Sequence, residues 1–172
     1  MQHASLQISK KRKQVALWVY PEGQVLGALF VSHHTKRARR EEEPLDVLNH
    51  PAPFVIVRCY LPDEIRFYNK AAIVRIEYVD EGSAALAPPP SLPCQLHLMD
   101  GSLIVASIRQ HRPPERSRLY DGLNVADERF VKVHLEDGAI CLVNKSYIVA
   151  GIGLTEQASG RRMVHRSRNI IL

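Results

Sequence analysis

Three cysteines in 172 residues, none of them in a Cys-x-x-Cys spacing, leave no disulfide framework and no thiolate metal knuckle to be read. Cys59, Cys94 and Cys141 are an odd number, and two of them fall inside predicted strands, so they read as small buried thiols in a reducing compartment. No stretch approaches ~18 consecutive apolar residues, and no apolar segment follows the basic start as it would in a secretory leader. The expectation is a soluble, cytoplasmic protein of bacterial style. Catalytic signatures are missing too: there is no Gly-x-Ser-x-Gly, no phosphate-cradling glycine loop and no cysteine beside a histidine base. An enzyme is therefore not expected. With aromatics at 6% and most of them in phase with a core, few rings remain as platforms for stacking bases.

Acidic charge is what the two ends lack. Residues 1–13 and 155–172 together carry eight positive charges against Glu156 alone, which leaves the +5 chain with about −2 over residues 14–154. Attraction to phosphate would thus fall to the tails and to local loops, and blocks of like charge are read as solvated arms.

What the chain does have is an internal echo. Residues 14–79 and 94–154 present the same features in the same order: Gly23 answers Gly101, Asp46 answers Asp121, and Leu48-Asn49 answers Leu123-Asn124. Phe54 answers Phe130, and Asn69-Lys70 answers Asn144-Lys145. A repeated unit of roughly 60 residues buries too little surface to be stable alone, so the units are expected to pack on each other. Between them, residues 80–93 hold Pro88-Pro89-Pro90 and read as a semi-rigid linker.

Alternation of apolar residues around Glu22-Gly23 and again around Asp100-Gly101 predicts a hairpin at the start of each unit. A basic loop follows, then a leucine-flanked turn of helix. Asp46 and Asp121 are expected to cap its start or to bond a neighbouring loop, and Asn49 and Asn124 to end it in a left-handed conformation. Strands at 54–60 and 64–68, and at 130–135 and 139–143, come next, and the last strand of each unit, 72–79 or 147–154, follows the Asn-Lys pair. The predicted fold class is all-β: two tandem SH3/Sm-like small β-barrels of about five strands each, packed with pseudo-two-fold symmetry. Trp18, Phe30, Phe54, Phe67, Phe130 and Tyr147 are assigned to the barrel cores.

On the glycine turn and the late Asn69-Lys70 or Asn144-Lys145 step, each unit resembles the Sm/Hfq type of small β-barrel. It also resembles an uncharacterised family of short bacterial domains with the pattern Leu-x-Asp-x-Leu-Asn, then Phe, then Val-Asn-Lys-x-x-Ile. The second resemblance implies the fold and brings no activity with it. The first implies that the Asn-Lys corner holds nucleobases, an amide reading a base edge while an ammonium neutralises phosphate.

Candidate binding residues are accordingly Asn69, Lys70, Asn144 and Lys145, joined by Lys36, Arg37, Arg39 and Arg40 of the first basic loop and Arg109, Arg112, Arg116 and Arg118 of the second. Clustered arginines followed by Asn144-Lys145-Ser146 also resemble a cyclic-dinucleotide receptor of the PilZ type, although Val149 stands where that signature has glycine. His33, His34 and His111 lie in the basic loops without a carboxylate or thiol at ligand spacing, so neither metal nor cofactor is expected. The leading expectation is a non-enzymatic adaptor that binds a protein partner through strand edges and basic loops, with homo-oligomerisation allowed. RNA or single-stranded DNA binding is the alternative, and a cyclic-dinucleotide receptor the weaker one.

Overall fold

A computed structural model describes residues 10–32, 41–80, 90–109 and 118–154. Its first half comprises β1 (Lys10–Val19), β2 (Gly23–Ser32), helix α1 (Pro44–Asn49), β3 (Phe54–Tyr60), β4 (Asp63–Asn69), a 3-10 turn at Lys70–Ala72 and β5 (Ile73–Tyr78). The second comprises β6 (Ser91–Leu98), β7 (Leu103–Arg109), helix α2 (Leu119–Leu123), β8 (Phe130–Leu135), β9 (Ile140–Asn144), a 3-10 turn at Lys145–Tyr147 and β10 (Ile148–Gly153). The strands begin earlier than the sequence suggested. Lys10, Lys11, Arg12 and Lys13, read as part of a basic arm, sit in β1 opposite Ser32 to Leu29, and Ser91–Pro93, read as linker, belong to β6.

Alternation decides which side of each strand is buried. Val15, Leu17 and Val19 on β1 face inward with Val25, Leu29 and Val31 on β2, because side chains two apart share a face of the pleat. Gly27 in the same row is required by close approach: a Cβ there would stand 2.5 Å from the Arg58 carbonyl oxygen. Asp46, in the first turn, caps the start of α1 as expected, its Oδ2 accepting the Glu43 N–H at 2.8 Å.

The described strands form one antiparallel sheet in the order β10-β6-β7-β8-β9-β5-β1-β2-β3-β4. This corrects the expectation of two separately closed barrels. The fold is all-β, but the sheet is continuous and open. The physical reason lies at its centre, where β5 pairs with β1 on one side and β9 on the other, Arg75 opposite Val143 through Tyr78 opposite Ile140. Ile-Cys-Leu-Val on β9 is apolar on both faces, and at this junction both are covered, Ile140 and Leu142 by the core of the first half and Cys141 and Val143 by that of the second.

Each half nevertheless has its own order, β5-β1-β2-β3-β4 and β10-β6-β7-β8-β9, and the registers correspond ladder by ladder. Leu17 opposite Val25 matches Leu96 opposite Ile104, and Phe54 opposite Asn69 matches Phe130 opposite Asn144. The β1–β5 and β6–β10 ladders even share an irregularity at the same step, beside Trp18/Val19 and Ile148/Ala150. One correspondence shifts. Gly23 pairs with Val19, whereas the matching Leu98 donates its N–H to the Ser102 carbonyl and accepts the Gly101 N–H, so Gly101 sits one place earlier in its turn. Both glycines have positive φ, at 92° and 81°.

Two hydrophobic cores result, and they exchange side chains across the central junction. Phe130, Ile140 and Leu142 from the second half complete the core of the first, while Val74 of the first half enters the core of the second.

Candidate functional site

The Asn-Lys pairs belong to the architecture. Asn69 and Asn144 have φ of −65° and −69°, so neither occupies the left-handed region; each side-chain oxygen instead caps the 3-10 turn that follows, accepting from Ala71 N at 2.9 Å and Ser146 N at 3.0 Å. Lys70 is 2% exposed, and its ammonium donates to the Val47 and His50 carbonyls at 2.8 and 2.7 Å. Burial, with a smaller contribution from nearby Arg129, lowers its pKa. Lys145 donates to the Val125 carbonyl at 3.0 Å, and desolvation lowers its pKa as well. The fully buried Asn144 reaches across the junction, its Nδ2 donating to the Ile73 and Lys70 carbonyls at 2.8 and 3.2 Å. An exposed corner of two Asn-Lys pairs, the arrangement expected for holding bases, is therefore not what these contacts build: of the four side chains only Asn69 is exposed.

Among the loop residues, Lys36, Arg37, Arg39, Arg40, Arg112 and Arg116 lie outside the described residues, as do His33, His34 and His111. Arg109 closes β7 and Arg118 precedes α2, both exposed. The asparagines end the helices as expected, but neither takes the left-handed conformation. Asn124 has φ −103°, and Asn49 is the last residue of α1. Asn49 instead clamps the other half of the molecule, accepting the Phe130 N–H at 2.8 Å and donating Nδ2 to the Phe130 carbonyl at 3.1 Å.

One exposed cleft of about 350 Å³ lies beside the central junction, bordered by Arg75, Glu77, Ser102, Glu136 and Asp137. Its one cation is fully engaged. The Arg75 guanidinium lies 3.9 Å over the Trp18 ring, donates to Glu77 at 3.0 Å and to Ser102 at 3.2 Å, and stands 3.7 Å from Asp100. The cluster ties β5 to the β6–β7 turn and, among the described residues that border the cleft, leaves no unengaged positive charge for a ligand.

The cysteines are equally occupied with packing. All three are buried, with burial raising the Cys94 thiol to about 11 and Cys141 higher still, so thiolate chemistry near neutral pH is disfavoured. No group of three His, Cys, Asp or Glu side chains converges among the described residues. No helix of the described residues is long and apolar enough to cross a membrane.

What remains is a surface that the sequence had assigned to the interior. Phe54 and Phe67, expected in the core, project outward instead. Ile56 pairs directly with Phe67, and Ile65 lies two pairs further along the same β3–β4 ladder, hence on the same side, so four large apolar side chains share one exposed face. Val55, Val57 and Cys59 take the inner face of β3. The signal was present in Phe-Val-Ile-Val, a run apolar on both faces, which is the pattern of a strand covered on both sides. Beside this face, among the described residues β4 bonds only to β3, so one whole side of its backbone is unpaired within the described sheet.

Compared with known proteins, the chain finds no match among family models, curated proteins or solved structures.

Proposed function

We propose that the chain is a non-enzymatic binding module, of adaptor type, that engages a protein partner through the β3–β4 edge of its sheet. The observation that carries the reading is the coincidence of an unpaired strand edge with the apolar face of Phe54, Ile56, Ile65 and Phe67. An extended segment added to β4 would gain main-chain hydrogen bonds from the edge and apolar burial from the face. A contiguous exposed apolar patch rimmed by charge, here Arg58 paired with Asp63 and Arg66 paired with Glu22 and Glu64, is the ordinary signature of a protein interface. The engaged Arg75, the buried Lys70 and the buried thiols favour binding over chemistry in the same way.

Recovery of a stoichiometric protein from native extract, lost when Phe67 is replaced by glutamate, is the expected result. Retention of nucleic acid alone, with affinity falling steeply as salt rises, would replace this reading with the RNA or single-stranded DNA alternative.

A further inference from the structure

We propose that the partner seated on β4 is a second copy of this chain, docking by its β10 in a head-to-tail assembly. The inference rests on the protein-binding reading of the same edge and names its occupant.

The argument comes from the central junction. There the fourth strand of the second half, β9, pairs with the last strand of the first, β5. The same two strand types are left over at the two ends of the sheet: β4 is the fourth strand of the first half and β10 the last strand of the second. A contact made once inside the chain thus has both of its complementary surfaces unpaired among the described residues, and a heterologous contact of this kind repeats from copy to copy.

Side chains agree with backbone. Phe130, Ile140 and Leu142 are the three residues that the second half inserts into the core of the first, and all are fully or nearly fully buried. By the shared register their counterparts are Phe54, Ile65 and Phe67, which are 54%, 44% and 67% exposed. Val74, given in return across the junction, corresponds to Val149, 65% exposed on β10. Each of these four fully or nearly fully buried side chains has an exposed apolar counterpart at an end; Trp18, which packs part-buried against the second core, corresponds instead to His97.

The polar contacts agree as well. Asn144 donates its amide across the junction to the Lys70 and Ile73 carbonyls. Asn69 holds its oxygen in the same cap, and among the described residues its Nδ2 has no bond; the matching acceptors are the Lys145 and Ile148 carbonyls of the next copy. Asn49 clamps the Phe130 backbone; Asn124, its exposed counterpart, donates Nδ2 to the Tyr120 carbonyl at 2.7 Å in the single chain and would exchange that bond for the Phe54 backbone of the next copy. Transferring the β5–β9 register gives the intermolecular pairs: Ala150 opposite Tyr68, Gly151 opposite Phe67, Ile152 opposite Arg66 and Gly153 opposite Ile65.

Cysteine pairing tests this on the full chain. Arg66→Cys and Ile152→Cys are prepared separately and mixed under mild oxidation; the native thiols are buried and do not compete. The mixture should form a disulfide-linked pair, and each variant alone should not. Phe67→Glu, at a position exposed in the single chain, should keep its circular dichroism and melting behaviour at high dilution while raising the concentration at which the assembly dissociates by more than about tenfold. Disulfides formed within either variant alone would mean like edges meeting, and would overturn the inference. So would a wild-type chain that sediments as a monomer at ~100 μM with no cross-link in the mixture, at concentrations where weak interfaces are occupied. In that event the broader binding reading stands or falls by its own test in extract.

Discussion

Leu142 and Phe67 hold corresponding places on corresponding strands, yet the first is fully buried at the centre of the sheet and the second is mostly exposed at its end. The same holds for Phe130 and Phe54, and for Asn144 and Asn69. The local patterns are alike; the neighbours differ. Burial in this molecule is set by which strand lies alongside, and the contrast between the central junction and the two ends can be measured by making matched substitutions in both.

The largest difference is expected at the phenylalanines. Phe130→Ala should remove about 3–5 kcal/mol of stability, the usual cost of emptying a buried aromatic site, whereas Phe54→Ala in the dilute chain should stay within about 0.5 kcal/mol. Urea unfolding of the two variants under identical dilute conditions gives both numbers, and equal losses would mean that the end is buried as well as the centre.

The lysines should differ less. Lys70→Met deprives two part-buried carbonyls, Val47 and His50, of their donor and should cost about 1–3 kcal/mol, while Lys145→Met removes a single bond at a more open site and should cost about 1 kcal/mol or less. Thermal melts would order the two.

The smallest effect concerns pH. Burial, with nearby Arg109 and Lys132, lowers the pKa of His134 below its usual 6.5, so the folded state binds that proton less readily than the unfolded chain. His134 therefore contributes stability that is fully present above about 6.5 and is lost as pH falls toward its folded value, with a slope that cannot exceed about 1.4 kcal/mol per pH unit for one group. His134→Gln should flatten that acid limb in urea midpoints taken from pH 7 downward, and an unchanged limb would show that another group carries it.

Several features of the fold were legible in the residues. The hairpins around Gly23 and Gly101 follow from alternation and from glycine at positive φ, both of which are local. Asp46 capping α1 is local too. Lys70 was not legible, because a lysine after an asparagine in a turn reads as surface, and only the folding of α1 over it brings the Val47 and His50 carbonyls to its ammonium. The partner of Asn49 was hidden for the same reason, since Phe130 lies 81 residues away in sequence. Phe-Val-Ile-Val on β3 and Ile-Cys-Leu-Val on β9 look alike as strings, and nothing within either says which one has a covered outer face.

The sequence by itself determined where strands, turns and caps form, because those depend on alternation, on backbone preferences and on hydrogen bonds spanning a few residues. Only the tertiary structure decided that the halves join edge to edge in one open sheet, that Lys70 and Asn144 point inward and that Phe54 and Phe67 point out. Those outcomes depend on which edges meet, and a strand's edge is made of backbone groups that are the same in every sequence.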